Sequence, residues 1–354
     1  DNNPERTIKA KLLRSKRGNM VYEIDGEIYP GHPGIVVIPD KSDKLVTKPT
    51  LLLRLINKKK NSYLMELDYL TSNISWKCDY ILSVDNKMSS ADLSSLITLE
   101  NQTGTSYKDA KIKLIAGELN RERERERRGV KRAEIRYEAM ASAPGFTQSA
   151  VHEYHMYSLN RITSIKDKQE KQISFIKAQD IDVEKEFLIY GKTGYFRSRY
   201  SNKDKEQEVG VYISFENKKK YNLGMPLPAG IVRVYQEDKE NSLQFIGENR
   251  IKHTPENEEI KIKTGNAFDI KCERVQTDYR RIDDDIYETQ WEITLRNQKD
   301  EDIKVGIIEP MRGDWKVINS SEKYDKTGAF SIRFDLEIPK KQERKISYRV
   351  RIEY

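Results

Sequence analysis

Few residues in this 354-residue chain are of types that do chemistry. There are four histidines: His32, His152, His155 and His253. His152 and His155 flank Glu153 at a spacing that shares a face on a helix but splits across a strand. The surrounding HEYHMYSL has strand character, so the pair is expected to diverge and not to hold zinc. Asp283, Asp284 and Asp285, with Asp278 nearby, offer oxygen ligands of the kind Ca²⁺ takes. They lack the spaced D-x-D-x-D-G pattern, and an acidic hairpin tip is the expectation. Glu309 and Asp314 beside Trp315 present two carboxylates and a sugar-stacking ring, the components of glycoside hydrolysis. With 57 acidic residues such a trio is easy to pick out, and nothing else supports it. No nucleophile elbow, G-x-G-x-x-G or Walker loop occurs. The sequence therefore assigns no catalytic residue, no cofactor and no metal ligand.

The other distinctive side chains read as structural. Cys78 and Cys272 lie in separate strand-like runs. They are expected to be buried thiols, with a single inter-domain bridge as the alternative. Trp76, Trp291 and Trp315 are expected to pack between sheets. Twenty tyrosines suit ordinary strand positions, or else a carbohydrate- or protein-binding surface. The 64 basic and 57 acidic residues are interspersed. Lys58–Lys60 and Lys218–Lys220 fall at turns, which argues for solvated loop tips and against nucleic-acid binding. No run of about 18 apolar residues is present, so no membrane-spanning helix is expected.

Short strands at regular spacing must position these residues. Asp25-Gly26 between NMVYEI and EIYP signals a hairpin. GIVVIP, and a pair formed by Leu51–Leu55 and Leu64–Tyr69, are read as further strands. Trp76, Cys78 and Tyr80 alternate with polar neighbours, as do Ile346, Tyr348, Val350 and Ile352 near the end. ITLENQ at 97–102 is echoed by ITLRNQ at 293–298, and each is followed by a polar turn and a second strand, which points to two related sandwich modules. RERERERR interrupts the pattern with no apolar face. These features predict an all-β fold of two or three antiparallel β-sandwich, immunoglobulin-like modules. The expected boundaries are 1–119 for the first module, 120–149 for a charged exposed linker, 150–224 for a middle β segment and 225–354 for the C-terminal sandwich. If the middle strands complete the first module, the linker is an excursion from one domain.

Several longer phrases carry a resemblance: KPTLLLRL, ELDYLTSNISWKCDYIL, LITLENQTGTSYKDAKIKLIAGELN, EYHMYSL, LPAGIVRVY, FIGENRIKHTPENEEIKIKTGNAFDI, GDWKVINSSEKYDK and ISYRVRIEY. Together the chain resembles the bacterial family called domain of unknown function 4139, related to the mucoidy-inhibitor-type proteins. The resemblance implies an all-β protein made for export, hence a periplasmic, surface or secreted location, and no established enzymatic activity. Family members commonly have a small residue at the position of Cys78, which weakens a disulfide. The expectation is a non-catalytic envelope or extracellular protein that assembles or binds a protein partner through exposed strand edges. A binding protein or hydrolase for envelope carbohydrate is the alternative. No nucleic acid and no cofactor are expected.

Overall fold

The computed structural model describes residues 8–16, 19–31, 54, 56, 62–117, 145–151, 154–201, 205–240 and 242–354. The chain divides into two compact units, Asp1–Leu67 and Asp68–Tyr354. In the first, β1 (Lys11–Lys16), β2 (Asn19–Ile24) and β3 (Glu27–Pro30) form an antiparallel meander. Asp25 and Gly26 both take positive φ, 51° and 85°. That is the left-handed pair a two-residue hairpin turn requires, and it matches the twist of the flanking strands. GIVVIP and most of the Leu51–Leu55 run lie outside the described residues. The strand expected at Leu64–Tyr69 does not form: residues 62–70 carry no strand, and Leu64 and Leu70 are 103% and 97% exposed. Alternation makes a strand only where one parity is buried, and here both parities face solvent.

The second unit is nearly all strand, with two short 3-10 turns and no α-helix among the described residues. Its first part contains β4 (Ile74–Val84), β5 (Ser90–Asn101), β6 (Tyr107–Ala110) and β7 (Lys113–Ala116). Then come β8 (Phe146–Val151), β9 (Tyr154–Leu159), β10 (Thr163–Ile165) and β11 (Gln169–Asp182). Most of the expected linker, 120–144, lies outside the described residues; its last residues join β8, where Phe146 is fully buried. The chain continues with β12 (Glu184–Tyr190), β13 (Glu206–Gln207), β14 (Gly210–Glu216), β15 (Gly230–Glu237), β16 (Leu243–Ile251) and β17 (Glu259–Asn266). It ends with β18 (Ile270–Arg281), β19 (Ile286–Asn297), β20 (Ile303–Pro310), β21 (Asp314–Ser320), β22 (Asp325–Gly328), β23 (Ser331–Ile338) and β24 (Glu343–Glu353).

Two sandwiches with the same wiring emerge. In one, the order β11-β5-β4 faces β7-β9-β8; in the other, β24-β19-β18 faces β20-β23-β22. Each has its own apolar core, the first around Tyr80, Ile97, Phe146, Tyr157 and Phe175, the second around Trp291, Ile293, Phe334 and Tyr348. The echoed ITL-x-NQ ends β5 and β19, and its asparagine does the same work twice. Asn101 donates to the carbonyls of Thr105 and Lys166 at 2.8 and 3.0 Å. Asn297 donates to those of Glu301, Ile338 and Pro339 at 2.8, 3.1 and 3.1 Å. Both are completely buried and lock two crossing turns together. A second echo marks the last strand of each sandwich, KQEKQISF at 168–175 and KQERKISY at 341–348. Each opens on a lysine, Lys168 or Lys341, with φ of 58°.

The strands between the repeats tie the second unit together. β15 runs parallel to β4, so residues 230–251 extend the first repeat's sheet instead of joining the C-terminal sandwich. The backbones meet closely there, because a Cβ on Gly230 would sit well inside contact distance of the Cys78 carbonyl. β12 runs parallel to β20 in a six-stranded sheet, β17-β14-β12-β20-β23-β22. Its β14 and β17 end lines the first core, and its β20 and β23 end lines the second.

Candidate functional site

The least ordinary chemistry lies in the core of the second repeat. On β18 the inward parity carries Cys272, Arg274 and Gln276, and on β20 it carries Val305, Ile307 and Glu309. Arg274 is 2% exposed and Glu309 0%. The Nη2 of Arg274 lies 2.6 Å from Oε1 of Glu309. Its Nη1 donates to the Tyr348 hydroxyl at 3.2 Å and its Nε to Oε1 of Gln207 at 2.9 Å. The guanidinium also sits 4.9 Å from the Tyr195 ring centroid and 5.7 Å from that of Trp291. Gln276 reaches the 3-10 turn Thr193–Phe196 and its exit, accepting from the Tyr200 amide at 2.7 Å and donating to the Ser198 carbonyl at 3.2 Å. The segment after β12 is thus fastened over the pair by side chains.

Burial opposes the charged form of Arg274, but the adjacent Glu309 charge outweighs it and holds the guanidinium protonated. Burial pushes the Glu309 carboxyl above the ordinary range, and Arg274 offsets part of that rise. Gly191 is required beside them, since a Cβ there would collide with Oε2 of Glu309. Sealed from solvent, the cluster cannot meet a substrate, and its chemistry is that of a buried pin. The first repeat shows that the fold does not demand it. Cys78 stands opposite Ile97 as Arg274 stands opposite Ile293, and Phe175 replaces Tyr348.

The residues singled out from sequence do not converge. Glu309 is enclosed, whereas Asp314 is exposed on β21, so the two do not face each other across an open cleft. Trp315 is half-buried, donates to the Ala329 carbonyl at 2.8 Å and lies under Lys326 at 4.5 Å. Trp76 packs edge-on to Tyr157 at 6.5 Å, and Trp291 is fully buried. Asp283–Asp285 form the tip of the β18–β19 hairpin, with Asp284 paired to Arg281 at 2.7 Å. Asp278 binds Arg280 and Arg349 at 3.0 and 2.8 Å. His32 and His152 lie outside the described residues. His155 contacts Gln148 at 3.1 Å, and burial lowers its pKa, helped by His253. Among the described residues no three His, Cys, Asp or Glu side chains gather to hold a metal ion. Cys78 and Cys272 are free, buried thiols, each pushed up to about 12 by burial. Lys218, Lys219 and Lys220 are paired with Glu216, Glu256 and Asp182.

Sequence reasoning missed the Arg274 cluster. The available signal was parity: a charged residue two positions from Cys272 on the apolar side of a strand. On the surface, Tyr279 and Tyr287 stack at 6.3 Å and Tyr287 meets Tyr354 at 5.9 Å. Arg197 lies 5.1 Å over the Tyr354 ring. No helix among the described residues is long and apolar enough to cross a membrane. No curated protein shows significant similarity to the chain. The family model described as Domain of unknown function (DUF4139) matches residues 65–354, and the chain belongs to that family.

Proposed function

We propose that this chain is a non-catalytic, exported protein of the cell envelope or extracellular space that acts by assembling with or binding a protein partner. One observation carries the reading. The meander of the first unit exposes Leu12, Met20 and Ile28 at 52%, 42% and 67%. The run that follows exposes Leu64 and Leu70 almost completely. Leu12 and Met20 share the face of Tyr22, and Ile28 that of Glu23, so apolar side chains are exposed on both faces of this small meander, which favours a surface covered by a partner. The buried Arg274–Glu309 pair supports a structural role for the most unusual ionisable groups. Export rests on the family resemblance.

The test is sedimentation of the purified chain beside a Leu12→Ser, Ile28→Ser variant. Serine at exposed positions leaves the fold and its circular dichroism intact, and the expected result is loss of self-association or of partner capture. Equal association of variant and parent would contradict the reading. The Tyr279–Tyr287–Tyr354 surface beside Arg197 favours a second reading, binding of an envelope glycan. A glycan array probed with the parent and with Tyr287→Ala tests it; an identical profile, or none, counts against it.

A further inference from the structure

The two repeats differ at one sheet edge. In the second repeat β24 is not terminal: β21 lies antiparallel along its outer side, pairing Asp314–Ser320 with Tyr348–Glu353. In the first repeat the equivalent strand, β11, ends its sheet, in the order β11-β5-β4-β15-β16. The shared KQE motif aligns Tyr348 with Phe175, so the stretch that β21 covers in one repeat corresponds to residues 175–180 in the other. Among the described residues no strand pairs with that outer side. A terminal strand presents a row of backbone donors and acceptors ready for another strand.

The geometry points to this edge of β11, residues 175–180, as an acceptor for a β-strand supplied by a protein partner. The sister repeat specifies the occupant's chemistry. β21 turns Trp315 and Val317 toward the core and leaves Asp314 and Lys316 outward. On β11 the inward residues at the edge, Phe175, Ile176 and Ala178, are buried, while Lys177 and Gln179 face solvent. The donor is therefore an extended segment with large apolar side chains at alternate positions, adding main-chain hydrogen bonds for affinity and side-chain fit for specificity. The edge is not indiscriminate. Register shifts between Ser174 and Lys177 and between Ala178 and Ile181, the positive φ of 54° at Asp180, and Lys177 all blunt it. A donor must match that irregular register.

This inference rests on the partner-binding reading and names one surface for it. The test is hydrogen exchange read by mass spectrometry on the full chain, at a concentration where light scattering gives a monomer. The probe is a synthetic peptide of residues 312–321, RGDWKVINSS, in millimolar excess, with a scrambled peptide as control. Ile176 and Asp180 donate their amides inward to Ser95 and Asp92. The outward amides of 175–180 are expected to exchange fast in the chain alone and to be slowed at least about tenfold by the probe and not by the control. Slow exchange in the chain alone would mean that the chain covers its own edge, and would overturn the proposal. Fast exchange untouched by the probe would overturn it as well. Either result leaves the Leu12 and Ile28 comparison standing, so a failed edge is distinguishable from a failed partner-binding reading.

Discussion

Five residues carry testable consequences of their own. Arg274 and Glu309 are a buried ion pair, and removing one partner strands a charge in the core. Arg274→Met alone is expected to cost about 3–5 kcal/mol in urea unfolding. Arg274→Met with Glu309→Leu is expected to recover most of that loss, because Cys78 and Phe175 show the same sandwich built without the pair. A double variant no better than the single would refute this view of the cluster. Glu186 behaves in the opposite way to Glu309. Burial raises its pKa, but hydrogen bonds and charge from Lys261 and Arg333, at 2.6 and 3.1 Å, outweigh burial and lower it. A depressed carboxylate contributes stability that is complete above the ordinary value of about 4.3 and is lost as pH falls through the folded value. Glu186→Gln should therefore lower the melting temperature at pH 7, and the difference from the parent should vanish toward pH 3. The thiols Cys78 and Cys272, raised to about 12 and buried, are expected to resist maleimide in the native chain and to label fully in denaturant. Labelling of the folded protein, read by intact mass, would contradict their placement.

At the scale of elements, the repeats stand on two asparagines and one close backbone approach. Asn297→Ala leaves three carbonyls without their donor and is expected to cost about 1–3 kcal/mol, with Asn101→Ala similar. Gly230→Ala forces the parallel pairing of β15 and β4 apart, with an expected loss of about 1–3 kcal/mol. Both are read by chemical denaturation. Much at this scale was legible in the sequence. Asp25-Gly26 named its hairpin, and the ITL-x-NQ echo pointed to related modules. Alternation identified β19 and β24, because in each one parity is mostly buried and the other mostly half-buried or exposed. Leu64–Tyr69 misled, since the same alternation there lacks a buried face. The KQE echo went unread because its shared run starts in a polar turn and crosses into a strand, so it shows no single periodicity.

At the scale of the molecule, the wiring between the repeats was not legible. Parallel pairing joins strands far apart in the chain, β4 with β15 and β12 with β20, and no local pattern encodes such partners. That is why residues 230–251 read as part of the C-terminal sandwich while their hydrogen bonds belong to the first. The Arg274 cluster was half-legible: Glu309 stood out, but its partner lies on another strand, and only the fold brings them together. The second unit offers duplicated sandwiches and an enclosed ion pair, and the first exposes apolar side chains, the features on which the proposed partner binding rests. The most direct measurement is size-exclusion chromatography with light scattering on the purified chain over a concentration series, alone and with an envelope extract. Discrete oligomers, filaments or a defined complex are the predicted result. A strict monomer at every concentration that forms no complex would contradict the account.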